Sequence, residues 1–354
     1  MALGDIAVTN KEWATATKCY EYVVANGADS PWYGAARIGL VNALDAQVRD
    51  ETDPPQERLD HLRQLYESTL SELGRTPANI KLVSGLADLK AYYLNDSPGA
   101  VALLQDAINM PGLGRKEQAQ LKLELGDIQV LEGDIWDASL LYSQVDLDFK
   151  QDILGHEARL RNAKVSFYSG DFLWAKAQLD VLKASTSKLI ANDAMELSLL
   201  ITDNLGTDTV SPGLSLFAEA QLLTFQHRYD SAIAVLDTLT ARFPMGSLGD
   251  DVLYARYSIA HARHQYTEAA GYLEKVVELY PNDILVDNAM YDLGKLYEND
   301  LGDKEQAKKW YEKLLFEQSG SIFVADAREH YRRLRGDRDN LTTPEQQFLN
   351  GPTP

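Results

Sequence analysis

Apolar residues recur along this chain in triads at helical spacing. Ala138, Tyr142 and Val145 sit four and then three residues apart, on one face of a helix. The same spacing returns at Ala100/Leu104/Ala107, Ala175/Leu179/Leu182, Ala232/Leu236/Leu239, Ala269/Leu273/Val276 and Ala307/Tyr311/Leu314. The anchoring alanines are 38, 37, 57, 37 and 38 residues apart. A period near 37 predicts a stacked helical repeat in which each unit buries its apolar face against its neighbours.

Each period has room for two helices. A small residue stands twelve before the anchor in three units: Gly126 before Ala138, Ala163 before Ala175 and Ala220 before Ala232. Small residues at matched places predict close approach of paired helices. Phe243-Pro244 and Tyr280-Pro281 close units, since proline stops one helix and sets the entry to the next. The 57-residue interval leaves space for one more helix, which Asn192–Asn204 supplies. Upstream, Ala16/Tyr20/Val23 fits the triad with Gly4 twelve before its anchor, and Leu62/Tyr66/Thr69 fits the spacing. The surplus between those two falls in the loop Asp50–Pro55. The expected organisation is eight helix pairs and a final helix near Ile322–Arg335, forming a solenoid over 1–335, with a polar tail over 336–354.

Leu293-Gly294-x-x-Tyr297 followed by Ala307, Tyr311 and Leu314 resembles the tetratricopeptide repeat signature, with one extra residue in the turn at Asn299–Lys304. The resemblance extends over most of the chain, although Asp88 and Tyr257 stand where a small residue is usual. It implies an all-α, right-handed superhelix whose first helices line a concave, protein-binding face. Carried over residue by residue, groove positions would include Tyr92, Tyr93, Phe167, Tyr168, Phe217, Phe225, Tyr254 and Tyr291. Aromatic rings suit such a surface, and the competing role for several of them is helix-on-helix packing. The clamp that chaperone-linked members use for a terminal carboxylate is missing, because the corresponding sites hold Leu123, Asp127, Leu160 and Phe217, with only Lys164 and Lys295 basic. The segment Ser321–Ala327 and the Arg-rich stretch after it resemble the last helix of bacterial envelope-associated tetratricopeptide proteins. This implies an alternative role in envelope assembly.

Composition narrows the function. The net charge of −19 disfavours nucleic acid and anionic membrane surfaces and is compatible with a basic protein partner. No window approaches the ~20 apolar residues of a membrane span. A single cysteine, Cys19, excludes an internal disulfide and any Cys-based zinc site. Leu3-Gly4-Asp5-Ile6 repeats Leu125-Gly126-Asp127-Ile128, so the chain reads as starting inside a repeat, either as the downstream part of a longer protein or with a short cap. The first of these is the expectation, with Leu3, Ile6 and Trp13 left uncovered. As given, the chain would be cytoplasmic; an upstream signal peptide would make it periplasmic.

Candidate chemistry is sparse. His261 and His264 share a helix at metal-ligand spacing, but Arg263 lies between them and His264 repeats His227 one unit earlier, so a helix-capping role is expected. Pro111–Lys116 lacks the phosphate-loop spacing and reads as a turn, and Glu298–Asp303 lacks the order of a calcium loop. No nucleophile or acid/base pair is singled out, so no enzymatic activity, metal or cofactor is expected.

Overall fold

The computed structural model describes residues 1–51, 53–205, 211–244 and 246–336, and the proposed tail lies almost wholly outside them. Among the described residues the regular structure is entirely helical. The paired helices are α1 (Ala2–Thr9) with α2 (Trp13–Ala25), α3 (Tyr33–Asp50) with α4 (Gln56–Leu73), α5 (Ile80–Tyr92) with α6 (Ser97–Ile108), α7 (Arg115–Glu132) with α8 (Ile135–Asp148), and α9 (Ile153–Tyr168) with α10 (Phe172–Leu182). After α11 (Lys188–Leu205) come α12 (Pro212–Phe225) with α13 (Tyr229–Arg242), α14 (Gly249–Ala262) with α15 (Tyr266–Leu279), α16 (Val286–Asn299) with α17 (Lys304–Glu317), and finally α18 (Val324–Arg335). The extra helix in the long interval is thus α11, longer at both ends than its apolar core suggests. The chain forms two compact units, residues 1–198 and 199 onward, with the division inside α11.

The triads define the second helix of every pair. All six anchoring alanines from Ala100 to Ala307, and Ala16 as well, have no exposed surface. Every other triad residue is buried except Val23, which is half-buried near the end of α2. Replacing Ala232 with leucine should therefore overpack the α12–α13 contact and cost about 1–3 kcal/mol in urea unfolding. A cost near zero would show room that this buried site does not display.

The turn inside most pairs is a left-handed helix ending, whereas α3 ends on the extended Glu51. Gly133 and Gly170 adopt positive φ there, and so do the non-glycine residues Lys11, Asn95, His227 and His264. The next amide reaches back five residues, as in Asp134 N–H to Gln129 O at 2.8 Å and Gln265 N–H to Ala260 O at 2.8 Å. Such a bond satisfies the last free carbonyls and reverses the chain within two or three residues. His227 and His264 thus take part in the turn through their backbone conformation. Burial lowers the His227 pKa, which keeps its ring neutral. Following helices are opened by side-chain caps: Asp96 accepts from Gly99, Asp171 from Trp174, Ser211 from Leu214 and Asp303 from Gln306.

Close approach of paired helices takes a specific form. A Cβ on Gly126 would lie 2.4 Å from the Tyr142 ring, and one on Gly294 2.4 Å from the Tyr311 ring. The ring lies flat against bare backbone, and its hydroxyl then reaches a carboxylate on the partner helix. Tyr20 donates to Asp5 at 2.6 Å, Tyr142 to Asp127 at 2.7 Å and Tyr311 to Glu298 at 3.0 Å. Where the small residue is alanine, at Ala163 and Ala220, the triad carries Leu179 and Leu236 instead of tyrosine.

Candidate functional site

The first helices of successive pairs lie side by side, and polar side chains tie each to the next. In residues 1–198, Arg49 on α3 contacts Asp88 on α5 at 2.5 Å and Asp45 at 2.7 Å. Ser84 on α5 donates to Glu124 on α7 at 2.7 Å, and Arg161 on α9 lies 3.6 Å from Asp127. Asp45, Arg49, Asp88, Ser84 and Glu124 surround a cavity of about 290 Å³ floored by Tyr66. Asp88, the apparent misfit to the repeat pattern, thus has a role: it receives Arg49 from the preceding unit.

From residue 199 onward the same logic uses tyrosine. Tyr254 on α14 donates to Asp292 on α16 at 2.5 Å, and Tyr257 also bonds Asp292. The Tyr254 and Tyr257 rings meet edge-on at 5.3 Å, and Tyr257 continues to His261 at 5.9 Å. His261 reaches Asp300 at 3.4 Å, while His264 bonds the Tyr266 hydroxyl at 2.6 Å, so the two histidines take separate partners. Tyr291 bonds Asp326 and stacks on Phe323 at 4.5 Å. The end helix α18 is held by Glu298, which receives His330 at 2.6 Å and Arg333 at 2.6 Å. Burial opposes the Glu298 charge, but bonds from Arg333, His330 and Tyr311 hold its carboxyl below the usual range.

Electrostatics on this face are uneven. Burial raises the pKa of Glu124 against the hydrogen bond from Ser84, and that of Asp127 against nearby Arg161. Burial likewise raises Asp292, whose bonds from Tyr254 and Tyr257 compensate only in part. These carboxylates are desolvated more than they are neutralised.

The aromatic residues expected in the groove divide by burial. Phe167 and Phe217 are core side chains, 2% and 4% exposed, and offer no surface to a partner. Phe167 packs on Phe172 at 5.5 Å and on the edge of Tyr168 at 6.2 Å. Their place on the helix is right, but the pair interface closes over them. Tyr92, Tyr93, Tyr168, Phe225, Tyr254 and Tyr291 are half-buried. Tyr93 lies beneath the Arg49 guanidinium, 5.7 Å from its carbon. The carboxylates were missed in the sequence because each pairs with a residue about one period away, a correlation that single-helix periodicity does not display.

The first-helix face thus carries acidic side chains and half-buried rings. Residues 217–284 and 287–315 match two models of the tetratricopeptide repeat. These stretches carry tetratricopeptide repeats, and such repeats serve as protein-interaction scaffolds. Comparison with curated proteins returns no match. Similar solved structures include a tetratricopeptide repeat protein from Parabacteroides merdae, at 14% identity and TM-score 0.35, covering 83% of this chain and 98% of that one. The P58(IPK) TPR domain is similar at 15% identity and TM-score 0.27, covering 95% and 96%. A human IFIT1 dimer with m7Gppp-AAAA is similar at 13% identity and TM-score 0.35, covering 92% and 68%. Among the described residues no helix is long and apolar enough to cross a membrane, and no cluster of three or more His, Cys, Asp or Glu could hold a metal.

Proposed function

We propose that this protein is a non-catalytic scaffold that binds a basic, extended or helical segment of a partner protein along the first-helix face. The observation that carries this reading is the pairing of half-buried rings with under-neutralised carboxylates: Tyr92 and Tyr168 with Glu124 and Asp127 in one unit, Tyr254 with Asp292 in the other. Lysine or arginine side chains would neutralise the carboxylates while their alkyl stems pack on the rings. Affinity capture followed by peptide mapping would identify the segment. Tyr92→Ala with Tyr168→Ala should then weaken it by about 2 kcal/mol or more, roughly thirtyfold in Kd, with helicity retained. Undiminished binding by the folded double variant would rule out the rings. A captured segment with no basic residues would rule out the charge argument. The narrower reading, an assembly factor of the bacterial envelope, is supported by the sequence of α18; fractionation of cells expressing the natural full-length protein tests it.

A further inference from the structure

The second helices α8 and α10 each carry two apolar faces. One holds the buried triad. The other points away from it and bears Trp136, Leu140 and Leu147 on α8, and Leu173, Trp174 and Val181 on α10. All six are more than half exposed, Trp136 at 70% and Trp174 at 56%. Scattered exposed leucines are ordinary, but two tryptophans with four aliphatics on neighbouring helices are not. Gln144 and Ala177, at intervening positions of the same faces, carry no charge. Asp180 at the margin is neutralised by Lys176 at 2.8 Å and Lys183 at 2.7 Å.

The two stripes flank one helix. Asn162 of α9 bonds Ser139 at 2.6 Å and Ser143 at 3.0 Å on α8, and Ser166 of α9 receives Gln178 of α10 at 3.0 Å. These groups satisfy one another, so the floor between the stripes leaves little polar demand on an occupant.

We propose that this face is the interface between two copies of the chain, related by a two-fold axis that lies in the interface and runs across α8 and α10. Three observations select a second copy. The six side chains expose on the order of 700 Å², close to the roughly 800 Å² that each partner gives to a standard interface. The stripes themselves carry no charged side chain in a chain of net charge −19, and the exposed Asp137 and Asp148 border the α8 stripe at its rim, so pairing buries no unpaired carboxylate. The stripes are also self-complementary. Short turns make successive helices antiparallel, so α8 and α10 run the same way. Each begins with a tryptophan and ends with an aliphatic residue, Leu147 or Val181. A half-turn about the axis sets each helix antiparallel on its own copy, Trp136 over the partner's Leu147 and Trp174 over the partner's Val181. Such an isologous contact closes at two copies. It lies on second helices and leaves the first-helix face open.

Sedimentation velocity of the full chain over a range of concentrations should give about twice the mass of one chain. Trp136→Glu with Trp174→Glu should return it to single-chain mass with unchanged circular dichroism; Leu140→Gln serves if that variant folds poorly. In a Cys19→Ser background, mixing Trp136→Cys with Leu147→Cys protein should give a disulfide-linked pair, and Leu147→Cys alone should not. Single-chain mass at every concentration would overturn the proposal. So would a dimer that survives the glutamate substitutions, or cross-linking of Leu147→Cys to itself. Peptide capture by the first-helix face is unaffected in either outcome, so the two proposals fail separately.

Discussion

Replacing Gly126 with alanine is expected to destabilise the protein by about 1–3 kcal/mol, at the upper end because the obstacle is an aromatic ring. The added methyl would sit 2.4 Å from Tyr142 Cε1 and 2.8 Å from its Cζ. The ring cannot withdraw, since Tyr142 is 1% exposed and its hydroxyl is held by Asp127. Chemical denaturation measures the loss. The control lies inside the chain, where Ala163 and Ala220 stand sixteen residues before Leu179 and Leu236. Gly126→Ala combined with Tyr142→Leu recreates that pairing and should cost less than the sum of the two single changes by about 0.5–3 kcal/mol. Additive costs would show that ring and glycine are not coupled.

Asp250→Asn is expected to stabilise the protein at pH 7 by about 1–3 kcal/mol and to do little at pH 4. Asp250 is buried at the start of α14, and desolvation together with the adjacent Asp283 carboxylate raises its pKa to about 6. Between about pH 4 and 6 the folded protein holds a proton there that the unfolded chain has released, so folding stability falls as pH rises through that window. Above it the full penalty of the buried Asp250 charge remains. An asparagine amide can donate to Asp283 and accept from the helix N–H groups without that charge. Thermal unfolding of the two proteins at pH 4 and pH 7 reads the difference. Equal stabilisation at both values would place the effect outside ionisation.

The division between what was legible and what was not follows from the range of each interaction. The helix pairs, the extra helix in the long interval and the buried triads were legible because they depend on spacing within one helix or on the repeat of that spacing. The placement of small residues opposite tyrosine or leucine was partly legible for the same reason. Phe167 and Phe217 show the limit. Their periodic position puts them on first helices, but whether a ring there lines a surface or closes a core depends on how tightly its neighbours pack. Asp88 looked like a departure from the repeat until Arg49, one unit away, was placed beside it. The outward stripe of α8 was present as Trp136, Leu140 and Leu147, but periodicity alone does not say which of two apolar faces is buried. By itself, the sequence determined the repeat and the face each triad buries, because those are local and periodic. The ties between units, the raised pKa of Asp250 and the exposure of the second apolar face were decided by tertiary structure, because each depends on the distance to residues on another helix.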